Sequence, residues 1–166
     1  MRRVGVFVVV ILLMVVVGFV GTAAASDSAL YAGGDGNDAE PYEIANWTHL
    51  DNIRENLNAN FTLVNDLNKS TDGYDTVVDT PTEGFDPIGN DDEFTGTFDG
   101  DDHTIIELTI NRSEQEHVGL FGEINGSAVI ENVNLESADI TGDSRVGGLV
   151  GYSGVFCRRF GWGKQG

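Results

Sequence analysis

The residues best placed to do chemistry are Asp99-Gly-Asp-Asp-His103, which follow closely on Asp91-Asp-Glu93. Two carboxylates held about 5–10 Å apart in opposed environments would supply the acid and base of glycoside cleavage. The same turn offers Asp99, Asp101 and Asp102 as oxygen ligands for a Ca²⁺ ion. Against both stands a count: 27 of 166 residues are acidic, so carboxylate clusters arise without function. A solvated turn and a Ca²⁺ site in that turn both rank above catalysis. A lyase facing acidic sugars would also need Arg or Lys beside its acids. Only Arg112 and Arg145 are available in this half of the chain. No Ser/His/Asp order, HExxH, phosphate loop or Cys/His metal spacing is present, so the sequence names no catalytic residue.

Two further runs resemble Ca²⁺ loops and fail on the residues that matter. Asp66, Asn68, Ser70 and Asp72 alternate like the start of an EF-hand, but Thr71 and Val77 stand where Gly and Glu are required. Gly33-Gly-Asp-Gly-Asn-Asp38 fits the opening of a G-G-x-G-x-D repeat, yet Glu40 occupies its large apolar position and there is one copy. Both read as surface loops, and no cofactor is expected apart from Ca²⁺ at Asp99, Asp101 and Asp102.

Charge narrows the partners. All 27 acids lie between Ser26 and Ser153, with Arg54, Lys69, Arg112 and Arg145 the only bases there, a net of −23. Such a surface repels nucleic acid and anionic membranes. It fits a chain kept hydrated in concentrated salt, where screening weakens the repulsion. The β-branched and aromatic runs between the acids argue against disorder.

Residues 1–25 read as a secretory signal peptide: Arg2-Arg3, an apolar run Val4–Val20, then Ala23-Ala-Ala25 before Ser26. An uncleaved anchor is the alternative, since 17 apolar residues reach the lower limit of a span. Five N-x-S/T sequons, at Asn46, Asn60, Asn68, Asn111 and Asn125, exceed the about 1.6 expected by chance from the Asn, Ser and Thr content. They fit an exported, glycosylated protein. The single Cys157 rules out an internal disulfide framework.

The elements that would position these residues are mostly strands. Residues 26–40 form a polar, flexible leader. Residues 41–90 form a helix–strand segment with loops. Within it Trp47, Leu50, Ile53 and Leu57 recur at helical spacing and Thr48-His-Leu-Asp51 fits a capping box, which predicts a helix over 48–57 with His49 solvated. A strand over Phe61–Val64 follows. From 91 to 153 the chain is a series of short β-runs: Phe94–Phe98, Thr104–Ile110, Val118–Phe121, Val129–Leu135 and Val146–Val150. Glycine, 22 of 166 residues, is nearly twice its usual share and punctuates them.

Two of those breaks are alike. Gly119-Leu-Phe-Gly122 and Gly148-Leu-Val-Gly151 lie 29 residues apart, a spacing typical of stacked repeats. With Pro41-Tyr-Glu-Ile44, Phe61–Asp66, Phe85-Asp-Pro-Ile-Gly89, Phe94–Gly100 and His103-Thr-Ile105, they make residues 31–153 resemble the GLUG family of secreted and cell-surface proteins. The resemblance implies an incomplete, right-handed parallel β-helix-like solenoid with one short N-terminal α-helix; a β-sandwich is the alternative. It also implies that Gly119, Gly122, Gly148 and Gly151 sit at corners of the coils, where positive φ and close approach favour glycine. Asp102 stands where the family usually has glycine, so that corner is expected to be looser.

The expected function is therefore an exported, non-catalytic, adhesin-like module at the cell surface. Its partner would be a glycan or protein of the envelope or surroundings, with no nucleic acid and no membrane beyond the signal segment. The alternative is a fragment of a secreted polysaccharide-degrading enzyme. Residues 154–166 carry three bases and no acid, the only cysteine and one of two tryptophans. That break predicts a shifted frame or truncated gene; a basic aromatic tail closing the last strands is the other reading.

Overall fold

The computed structural model describes residues 30–154. The expected signal peptide and, apart from Gly154, the atypical tail lie outside the described residues.

The described chain is mainly β, with short strands paired in parallel. In order it runs β1 (Tyr42–Ile44), α1 (Trp47–Asp51) with a 3-10 turn (Asn52–Glu55), β2 (Asn60–Leu63) and α2 (Tyr74–Val77). Two series of four strands follow: β3 (Thr97–Asp99), β4 (Thr104–Ile106), β5 (Thr109–Val118) and β6 (Phe121–Ile124), then β7 (Val129–Glu131), β8 (Asn134–Glu136), β9 (Asp139–Val146) and β10 (Val150–Ser153).

The expected helix is shorter than its apolar spacing suggested. Asn46, not Thr48, caps it: its side chain accepts from the His49 N–H at 2.8 Å. After Asp51 the helix tightens to 3-10 and stops at Asn56. Trp47, Leu50 and Ile53 are buried on its inner face as expected. His49, by contrast, is half-buried. Its Nδ1 faces the Ala45 N–H at 3.3 Å.

Each strand of the second series lies parallel to its counterpart in the first. Phe98 pairs with Ile130, Ile105 with Leu135, Ile110 with Ile140, and Phe121 with Val150. The separation stays close to constant, from 32 residues at Thr97↔Val129 through 30 at Thr109↔Asp139 to 29 at Phe121↔Val150. Like residues therefore stack on like, which is what keeps apolar side chains on one face when the side-chain period is two. Beneath the first series the N-terminal segment supplies irregular partners. β1 pairs with β2 and β2 with β3. Single bridges join Leu67 to Ile105, Ile88 to Phe121 and Phe94 to Ile124.

Inside runs a chain of aromatic contacts. Tyr31 stacks on Tyr42 at 4.2 Å, and Phe61, Phe94, Phe121 and Phe98 continue it with centroids 4.9–6.2 Å apart. Trp47 fills the space between α1, Tyr74 and Phe85, its indole N–H donating to the Asn68 carbonyl at 3.0 Å. Burial falls off in the second series. Phe98, Ile105, Ile110 and Phe121 are essentially inaccessible, whereas Leu135, Ile140, Leu149 and Val150 are half-buried and Val129 and Val146 are exposed.

The leader is held in place from residue 30 onward rather than hanging free. Two backbone bonds tie it to β1, Ala32 N–H to Glu43 O and Glu43 N–H to Gly33 O, both 2.9 Å. Tyr31 is buried and its hydroxyl donates to the Asn52 carbonyl. Some strands begin where the apolar runs do, β4 at Thr104 and β7 at Val129, and others reach beyond them. β5 and β9 extend through polar stretches, Asn111–His117 and Thr141–Arg145, that carry no alternation of apolar and polar residues.

Candidate functional site

The two glycine motifs meet in space where β5 turns into β6 and β9 into β10. Leu120 N–H donates to Gly148 O at 3.1 Å and Phe121 N–H to Leu149 O at 2.9 Å, so one motif lies directly on the other. The four glycines are not the positive-φ corners the resemblance implied. Left-handed residues recur instead as a ladder of non-glycines: Asp102 over Asn132 (φ 61° and 54°), Glu107 over Ser137 (62° and 54°) and His117 over Arg145 (58° and 53°). Asn, Asp and His enter this region most readily, while other side chains do so at a cost of about 1–2 kcal/mol. Asp102 thus does what a glycine would, and its corner is intact: its N–H donates to Asn132 O at 3.1 Å.

The motif glycines are needed for space. A Cβ on Gly151 would lie 2.5 Å from the His117 carbonyl carbon, and one on Gly119 would lie 2.7 Å from Gly147 O. On Gly122 it would meet His117 O at 2.8 Å. Gly148 alone has room, its nearest neighbour being the Leu135 side chain at 3.4 Å. The reason is a one-residue difference: Val118 pairs with Val146 but Phe121 with Val150, so Gly147-Gly148 absorbs an extra residue.

Around this junction His117 gathers a polar cluster. Its Nδ1 lies 3.3 Å from the Glu123 carboxylate, and its ring stacks on Tyr152 at 4.7 Å and 14°. Arg145 donates to Glu116 at 2.6 Å and approaches His117 Nε2 at 2.8 Å. Because guanidinium only donates, the imidazole accepts at Nε2 and carries its proton at Nδ1, toward Glu123. The Arg145 guanidinium also sits 5.3 Å from the Tyr152 ring centroid. Arg145 pairs with Glu116, and His117 Nδ1–H meets the Glu123 carboxylate, an arrangement that suits fastening two chain segments at a corner.

The acidic turn is built differently from a metal cage. Asp99 Oδ1 accepts from the Asp101 N–H and from the Asn132 amide, both at 2.9 Å, while Asp101 and Asp102 are exposed. Among the described residues no group of three or more His, Cys, Asp or Glu is placed to hold a metal. His103 faces Asp66 at 3.1 Å across the neighbouring edge. The Thr104 N–H, and then His103, hold the Asp66 carboxyl below the usual carboxylate range. Burial pushes the His49 imidazole down, and Glu107 pushes the Lys69 ammonium up.

The sequon asparagines are dispersed. Asn111 is exposed on β5; Asn46, Asn60, Asn68 and Asn125 are half-exposed at an N-cap, a strand start and two turns. Asn60 and Asn125 donate to Asp38 and Glu93, each at 2.7 Å. Sequence reasoning missed the His117 partners, since Glu123 and Tyr152 come from different strands. The signal that could have found them is Arg145 standing before Val-Gly as His117 does.

Two known proteins are similar to this chain. One is Halomucin of Haloquadratum walsbyi, 40% identical over 133 residues that make up 76% of this chain and 1% of that protein. The other, of Evansella cellulosilytica, bears the name "Putative Gly-rich membrane protein" and is 34% identical over 132 residues, 76% of this chain and 15% of that protein. This chain therefore spans a small part of either relative's length. No protein-family model matches the chain. No solved structure matches it either. Among the described residues no helix is long and apolar enough to cross a membrane.

Proposed function

We propose that the chain is an exported, non-catalytic module of the cell surface, built as a GLUG-type parallel β-solenoid whose two strand series are successive coils. What supports this reading most is the ladder of left-handed corners, Asp102/Asn132, Glu107/Ser137 and His117/Arg145, each joining strands paired in parallel with their counterparts. Stacked coils of this kind present long, repetitive faces to the surroundings. The printed names of the two similar proteins, "Halomucin" and "Putative Gly-rich membrane protein", fit a surface setting. The density of carboxylates fits it too, keeping an exposed chain hydrated in strong salt. The polar clusters are used to fasten corners, which supports a structural or binding role over catalysis.

Antibody raised against residues 30–154 and applied to unpermeabilised cells tests the placement. Labelling of intact cells, removed by mild surface proteolysis, is the expected result. Signal found only after lysis would overturn it.

A further inference from the structure

The sequon asparagines differ in what their side-chain amides are engaged with. Asn60 Nδ2 donates to Asp38 and Asn125 Nδ2 to Glu93, each at 2.7 Å, so a carboxylate holds either nitrogen. Asn111 Nδ2 donates to the Thr82 carbonyl at 3.3 Å from within β5. Asn46 is the N-cap of α1. Its Oδ1 accepts from the His49 N–H, its Nδ2 lies 3.3 Å from His49 Nε2, and the next residue, Trp47, is fully buried.

Asn68 is the exception. Its Oδ1 accepts from the Ser70 N–H at 2.8 Å and from the Ser70 hydroxyl at 2.6 Å, so one turn joins the two side chains that define the sequon. The amide cannot be flipped, because Nδ2 would then face a backbone donor. The backbone is fixed too: the Asn68 N–H donates to Thr71 Oγ1 at 3.0 Å, and its carbonyl accepts from the Trp47 indole. Nδ2 is left with no partner among the described residues, and it is not buried. The turn lies between β2 and α2, and Lys69 and Ser70 are exposed.

A free amide nitrogen beside a hydroxyl two residues on is what transfer of an N-linked glycan requires. We infer that Asn68 is the sequon through which this fold accepts a glycan, delivered from a polyprenyl-phosphate-linked oligosaccharide. Nδ2 bonds to C1 of the first sugar as the C1–O bond to the lipid phosphate breaks. The phosphate leaves with the electron pair, and Nδ2 gives up one proton. The other four asparagines must first release a bond or a helix cap. Where the partner is a carboxylate, at Asn60 and Asn125, transfer should be about tenfold slower. The inference rests on the chain being exported to where such donors are used, but its test is made on purified protein.

Folded, unglycosylated protein is incubated with detergent-solubilised membranes of the cells that make it, which supply transferase and lipid-linked donor. Peptide mass spectrometry then reads the occupancy of each sequon. Asn68 should be labelled first, with Asn60 and Asn125 about tenfold behind. N68Q should remove that label, and so should S70A, which keeps the amide but lacks the hydroxyl. E93A, at an exposed position, frees Asn125 and should raise its labelling about tenfold while Asn68 stays unchanged. Short peptides carrying the five sequons outside the fold should lose the ranking. Another sequon labelled ahead of Asn68, no rise at Asn125 in E93A, the same ranking in the peptides, or no transfer to the protein would each overturn the inference. A surface-labelled chain without transfer to Asn68 would sink this inference alone; transfer to Asn68 in a chain absent from the surface would sink the placement alone.

Discussion

A methyl group at Gly151 would collide with the His117 carbonyl carbon and the Val118 nitrogen, backbone atoms that cannot swing aside. G151A should therefore cost about 1–3 kcal/mol, the usual range for overpacking. G148A faces only the tip of Leu135 and should change stability by no more than about 0.5 kcal/mol. Urea melts of the two variants check the contrast. Gly36 belongs with the intolerant class, because it combines φ 74° with a close approach to the Tyr42 ring; a valine there should disrupt folding, not pass unnoticed in a loose leader. His49 adds a pH dependence. Burial holds its folded pKa below the ordinary imidazole value of about 6.5, so the native state binds fewer protons than the unfolded chain. The resulting stability is present above pH 6.5 and is lost as pH falls through the folded pKa. Melts at pH 7.5 and 5.5 should show a loss that is smaller in H49Q, provided the glutamine still meets the Ala45 N–H.

At the scale of elements, the corners decide how the strands stack. Asn132 is left-handed and its amide bonds Asp99, so N132V should cost about 1–2 kcal/mol for the backbone conformation alone, whereas N132G should recover most of it. Chemical denaturation of the pair tests this, and equal loss in both would assign the effect to the Asp99 contact instead. The corners also mark where the sequence was hard to read. Phe98, Ile105, Ile110 and Phe121 announce their strands because burial demands apolar residues there. Glu107, Ser137 and Arg145 announce nothing, because none is a residue type that favours φ near 55–60°, so no compositional signal marks their corners. The polar reaches of β5 and β9 were hidden for a related reason. Their pairing rests on backbone bonds between parallel neighbours, and their side chains are polar, half-buried or exposed, with no apolar face to announce a strand. In the helix region the apolar spacing gave the buried face of α1 but not its length, because Asn46 captures the first turn from outside the periodic run. The His117 cluster was legible only as two similar tetrapeptides; Glu123 and Tyr152 join it through stacking, which no local pattern encodes.

The whole molecule carries its excess negative charge on a small body. With −23 over residues 26–153, like-charge repulsion opposes compaction in dilute buffer and is screened within about 3 Å at molar salt. Melting temperature should therefore rise from dilute buffer to molar NaCl, and a midpoint that ignores salt would contradict the role given to the carboxylates. The central claim, that residues 97–153 are two coils stacked in parallel, is tested most directly by methyl and aromatic NOEs in isotope-labelled protein. The account predicts simultaneous contacts for Ile105 with Leu135, Ile110 with Ile140 and Phe98 with Ile130, at the near-constant spacing of their registers. Strong Hα–Hα contacts between sequence neighbours such as β4 and β5, the mark of antiparallel hairpins in a sandwich, would contradict it.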